Sequence, residues 1–174
     1  PNPGYPIYES QIDFYGGVAY PYGYVDTEAG LQLDFDAIEA GIAAGARHLF
    51  YNNYNNPTGA SSPSAEMERL AQLVIEHDLL VVSDEAYFDM LFEGEPRSIA
   101  SLPGMQERTL ILYTFSKKFA MTGWRLGGAI GPHWLTDEIS RLNVNAESCT
   151  AHFVQHAGVA ALKLPASETD IIRD

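Results

Sequence analysis

Short β-branched apolar runs separated by amphipathic stretches predict an α/β domain: a mostly parallel sheet with flanking helices. Two features of the chain carry this expectation. Leu79–Ser83 and Thr109–Phe115 are short, nearly uniform apolar runs of the kind that form buried strands. Ser64–His77 instead places Met67, Leu70, Leu73 and Val74 on one helical stripe. A third feature concerns function. Asn56, Asp84 and Lys117 each follow one of the predicted strands, and in a parallel sheet such positions gather at the carboxyl edge, where ligands bind.

In chain order, Val18–Tyr20 reads as a short strand before the turn-rich Pro21-Tyr22-Gly23. Phe35–Ala44 has helical spacing, with Asp34 as its N-cap. Arg47–Asn52 reads as a strand that runs into an Asn-rich loop. Ser64 caps the helix that extends to His77, and Leu79–Ser83 is the strand ending at Asp84-Glu85. Thr109–Phe115 and Leu126–Ile130 are the next strands, and Trp134–Asn145 and His152–Leu164 read as helices. No terminal element is visible in the charged stretch Ser167–Asp174. The chain opens on Pro1 without an initiator Met, so we read it as an excised or truncated piece of something longer.

Composition narrows the function classes. With 174 residues, 46% of them hydrophobic and 19% charged, the chain has material for one real core and is not a disordered polymer. A formal net charge of −13 argues against nucleic-acid binding, which needs cationic partners for the phosphates. Cys149 is the single cysteine, which precludes an internal disulfide and points to a reducing cytoplasm. No apolar run is long enough to cross a bilayer, so no membrane partner is expected.

The segment from Thr114 to Gly127 is the richest in chemistry. Thr114 and Ser116 alternate along an extended stretch, which turns both hydroxyls to one side. Arg125 lies eight residues beyond Lys117. Hydroxyls and a guanidinium suit a phosphate monoester, and an amine suits an aldehyde. Pyridoxal phosphate carries both groups. Lys117 and Lys118 are equal candidates for the amine on sequence order alone, and most lysines are simply solvated. Asp84, at the mouth of an apolar strand, needs a partner such as a protonated pyridine nitrogen, although it could equally cap a following helix. Tyr87 would stand on the same side of that helical turn, within reach of a phenolic oxygen. In the tight Asn55–Gly59 loop, Asn56 offers donors and an acceptor to that oxygen or to a substrate carboxylate. His152 and His156, four apart, lack the intervening Glu of a metalloprotease, so no metal is expected. The glycines at 16, 17, 127, 128 and 131 do not form a dinucleotide fingerprint.

Taken together, Asn56-Pro57-Thr58-Gly59, Ser83-Asp84-Glu85-Ala86-Tyr87, and Ser116-Lys117 through Thr122-Gly123-Trp124-Arg125-Leu126-Gly127 resemble the signature series of class I/II aminotransferases, which are fold-type I pyridoxal-phosphate enzymes. The likeness runs from Pro3-Gly4-Tyr5-Pro6 to the stretch Gln155–Leu162. It implies that Lys117, directly after the serine and eight before the arginine, is the Schiff-base lysine. It also implies that Asp84 pairs with the pyridinium nitrogen, that Tyr87 and Asn56 bind the phenolic oxygen, and that Thr114, Ser116 and Arg125 hold the phosphate. Tyr5 matches the aromatic position that stacks on the ring, and Asn56 also serves the substrate carboxylate.

The implied reaction is transamination between an L-amino acid and a 2-oxo acid, in a cytoplasmic homodimer of amino-acid metabolism. Two alternatives share the scaffold: a carbon-sulfur β-lyase, and the aminotransferase-like sensor domain of a transcription regulator. By the same resemblance, residues 1–174 correspond to part of the large cofactor domain. The small domain and an upstream phosphate loop are expected to lie outside the chain, which would leave it inactive alone. The dicarboxylate-specific branch has an arginine near Asn145–His152; only Arg141 stands in that neighbourhood, which argues against aspartate specificity.

Overall fold

The computed structural model describes residues 1–28 and 30–173. Its centre is a four-stranded sheet, β3 (His48–Tyr51), β4 (Leu80–Asp84), β5 (Thr109–Thr114) and β6 (Gly127–Ile130), in that spatial order. The pairs β3–β4 and β4–β5 are parallel, and β6 joins antiparallel, with Thr114 opposite Gly127. The mostly parallel α/β architecture predicted from the sequence is therefore the one observed.

Helix α2 (Phe35–Ala43) begins at Asp34, whose Oδ1 accepts from the Ala37 N–H as an N-cap should. Helix α3 (Ser64–Glu76) buries Met67, Leu70, Ala71 and Val74. These side chains pack with Tyr51, Val81, Ile99 and Met105 in the main core. Six of them (Met67, Leu70, Val74, Val81, Ile99 and Met105) are no more than 1% exposed. After β6 come α4 (His133–Ala146) and α5 (His152–Ala161). Helix α5 packs through Gly158 against a smaller cluster: a Cβ there would lie 3.5 Å from Phe115 and closer still to Leu126.

Several sequence expectations need correction. Ser64 is the first helical residue and makes no capping bond; Pro63 holds the cap position. Val18–Tyr20 is not a strand, because no strand among the described residues lies alongside to complete a ladder. Tyr20 instead packs on Gly41 of α2, and its hydroxyl donates to the Ala44 carbonyl. Three elements escaped the pattern: helix α1 (Ile7–Phe14), the hairpin of β1 (Tyr24–Thr27) and β2 (Gly30–Leu33), and α6 (Ala166–Arg173). Helix α6 occupies most of the charged stretch read as structureless; Asp174 lies outside the described residues. Its moment comes from few apolar residues among many charges, a weak signal by composition. No helix among the described residues is long and apolar enough to cross a membrane.

Candidate active site

The carboxyl ends of β3, β4 and β5 open onto one cleft of about 270 Å³. Its walls are Tyr5, Asn52, Asn56, Asp84, Ala86, Tyr87, Thr114, Ser116, Lys117, Thr122 and Arg125. All eight residues singled out from the sequence are among them: Tyr5, Asn56, Asp84, Tyr87, Thr114, Ser116, Lys117 and Arg125.

Asp84 ends β4 and is half-buried, so its carboxylate must be satisfied locally. Oδ1 accepts from the Ala86 N–H at 3.0 Å, and Oδ2 accepts from the Tyr8 hydroxyl at 2.5 Å. Burial, followed by the bond to Asp84, raises the Tyr8 phenol well above its ordinary range, which keeps it a donor. The expectation of a helix after Asp84 fails. Residues 86–89 form a turn, because the Asp84 side chain bonds its own backbone two residues on, as in an Asx-turn. Tyr87 reaches the cleft from that turn.

The loop after β3 is tied by its asparagines. The Asn52 side chain donates to the Asp84 carbonyl and accepts from the Asn56 N–H, both at 3.0 Å, and so joins the ends of β3 and β4. Asn55 Oδ1 accepts from the Thr58 hydroxyl and N–H, which closes the turn that presents Asn56.

At the end of β5 the Thr114 hydroxyl donates to the Ser116 hydroxyl at 2.9 Å, so the two face one side as their alternation requires. The Thr122 hydroxyl donates to the Ser116 carbonyl, and Arg125 Nη1 donates to the Thr122 carbonyl at 2.8 Å. Arg125 follows the 3-10 turn Thr122–Trp124 in the left-handed region, φ 52° and ψ 49°. A residue with a Cβ holds this conformation at a cost of about 1–2 kcal/mol.

The two lysines part company. Lys117 lines the cleft with its Nζ 4.9 Å from the centroid of the Tyr87 ring. Lys118 is engaged elsewhere, 2.7 Å from Asp89 Oδ1.

An amine, a carboxylate, a hydroxyl pair beside a guanidinium, a phenol and an amide line one cavity. The sequence profile described as aminotransferase class I and II matches residues 1–170. The chain belongs to this aminotransferase family. Among curated relatives, the arginine–pyruvate transaminase of Pseudomonas aeruginosa is 38% identical over 173 residues, 99% of this chain and 44% of that protein. Among solved structures, the aromatic aminotransferase of Pyrococcus horikoshii superposes with a TM-score of 0.89 at 35% identity, covering 99% of this chain and 47% of that one. A double mutant of the Thermus thermophilus aspartate aminotransferase gives 0.90 at 33% identity, covering 98% and 45%. The chain thus spans less than half the length of these relatives.

Within this aminotransferase fold, sequence reasoning overlooked Tyr8 and Asn52. Tyr8 sits 76 positions from the carboxylate it bonds, and no local pattern marks such a pairing. Asn52 could have been found, because it is the last residue of a predicted strand, next to the loop that carries Asn56; the neighbouring Asn-Pro-Thr-Gly motif drew attention instead.

Proposed function

We propose that this aminotransferase-family chain supplies the pyridoxal-phosphate site of an enzyme that transfers an amino group between an L-amino acid and a 2-oxo acid. One observation carries the reading: groups suited to the aldehyde, ring nitrogen, phenolic oxygen and phosphate of the cofactor line a single cleft. When bound, the cofactor supplies an electron sink for the bond broken at the substrate's α-carbon.

The chain's own residues do the rest. Lys117 offers the amine that takes the aldehyde and, when released, a base to move the proton at the α-carbon. Asp84, locked by Tyr8 and the Ala86 N–H, holds a proton on the ring nitrogen by a charge-assisted bond. Thr114, Ser116 and Arg125 bind the phosphate, Tyr87 and Asn56 the phenolic oxygen, and Tyr5 covers the ring face. Asn56 also meets the substrate carboxylate. By its resemblance to the family, the full-length protein is proposed to be a homodimer.

The test is direct. Pyridoxal phosphate is added to the full-length protein and to the 174-residue chain, each is reduced with borohydride, and the modified residue is mapped. Label on Lys117 together with turnover of amino-acid and oxo-acid pairs is expected of the full-length protein. The absence of a Lys117 adduct there overturns the assignment. An adduct with no turnover across a substrate panel favours a sensor module, and release of a thiol with an oxo acid favours a β-lyase.

A further inference from the structure

The sequence offers two adjacent amines to one aldehyde site, and their intrinsic chemistry is identical. We propose that Asp89 is a positioning residue that selects between them: it fixes Lys118 away from the cleft so that Lys117 alone is presented to it. The inference rests on the cofactor reading above.

The geometry comes from strand alternation. Tyr113 and Thr114 are neighbours on β5 and therefore face opposite sides of the sheet. Thr114 lines the cleft. The Tyr113 hydroxyl, on the other side, donates to Asp89 Oδ2 at 3.0 Å. The opposite oxygen, Oδ1, accepts from Lys118 Nζ at 2.7 Å. Asp89 is thus held by a strand residue that points away from the cleft, and it draws Lys118 to that side. Its side chain is only 20% exposed and that of Lys118 33%, so the pair is partly shielded from water. Burial and the Asp89 charge raise the Tyr113 phenol, which keeps it a donor to the carboxylate.

One turn supplies both partners. Residues 86–89 carry Tyr87, whose ring lies against Lys117 Nζ, and Asp89, which holds Lys118. The base of this excursion is clasped, because the buried Glu85 carboxylate accepts from the Ser98 hydroxyl at the far end of the loop and from Ser83 on β4. A sheet-anchored loop therefore sorts two consecutive side chains to opposite sides.

Two measurements on the full-length protein test this. In the first, wild type, Asp89→Asn and Asp89→Glu are treated with pyridoxal phosphate and borohydride, and label on Lys117 and Lys118 is quantified by peptide mapping. Wild type and Asp89→Glu are expected to carry label on Lys117, while Asp89→Asn lowers the Lys117-to-Lys118 ratio about tenfold, as loss of one charge-assisted bond implies. The second is competitive acetylation without cofactor, where Asp89→Asn is expected to raise the reactivity of Lys118 relative to Lys117 by about the same factor. Should Asp89→Asn fail to fold, Tyr113→Phe, which loosens the same carboxylate, is read identically. Unchanged ratios in a variant that melts like wild type overturn the selection. No adduct at Lys117 in wild type overturns the cofactor reading instead, and the acetylation ratio still decides the role of Asp89.

Discussion

The two halves of the sheet are covered very differently. Around β3 and β4 the core is closed: Leu70, Val74, Ile99 and Met105 have no exposed surface. Around β6 it is thin. All four β6 residues are exposed, α4 buries none of its side chains, and Leu142 and Val144 stand 71% and 65% exposed. The cleft straddles this divide. Asp84 and Asn52 belong to the closed half and are cross-tied by side-chain bonds. Arg125 belongs to the thin half and is exposed, with its guanidinium bonded to one carbonyl of its own turn. The Asp84 end of the cleft is therefore preorganised by core packing, whereas the Arg125 end depends on local backbone geometry.

The strongest test of that contrast is paired truncation. Leu70→Ala removes a fully buried side chain and should cost about 2–5 kcal/mol, while Leu142→Ala should change stability by less than about 0.5 kcal/mol, both read from urea midpoints. Comparable losses would show that α4 is packed as tightly as α3.

Next in size is Tyr8→Phe, which strips a buried donor from the Asp84 carboxylate. About 1.5–3 kcal/mol of stability should go with it. A variant as stable as wild type would mean that Asp84 is held well enough by the Ala86 N–H alone.

Glu85 probes the closed half by pH. Burial raises its carboxyl above the ordinary 4.5, against the lowering effect of the Ser98 and Ser83 hydroxyls. The folded state therefore holds this proton more tightly than the unfolded chain. The stabilisation is full below about 4.5 and is lost as pH rises through the folded value. Glu85→Gln lacks this titration, so wild type should lose stability relative to the variant between acidic and neutral pH. A pH-independent difference in urea midpoint would refute it.

The smallest stability effect is expected at Arg125. Arg125→Lys should leave the urea midpoint within about 0.5 kcal/mol of wild type. On the proposed function it should nevertheless weaken pyridoxal-phosphate binding about tenfold or more, because an ammonium cannot offer a phosphate the bidentate contact that a guanidinium can. Equal affinity in a fluorescence titration would remove Arg125 from the phosphate site.

Much of the site was legible because its residues sit at strand ends within short motifs. Asn56, Asp84, Thr114, Ser116 and Lys117 each stand at or shortly beyond the end of an apolar run, and all of them line the cleft. The helices α2 and α3 were legible for a related reason: a buried stripe leaves a periodic record. Elements without such a record were missed. The strands β1 and β2 bury only Leu33, α6 buries only Thr169, and Val18–Tyr20 looked like a strand because β propensity carries no information about a neighbour.

The sequence by itself determined the α/β order of the central elements, the family, and the set of chemical groups that line the cleft, since all of these depend on residue type and spacing along the chain. Only the tertiary structure decided which residues support that set. Tyr8 reaches Asp84 across 76 positions, Asn52 bridges two strands, and Asp89 draws Lys118 to the face that Tyr113 occupies. These are long-range pairings, set by how the sheet brings distant segments together, and the sidedness of two adjacent lysines is a property of the folded turn.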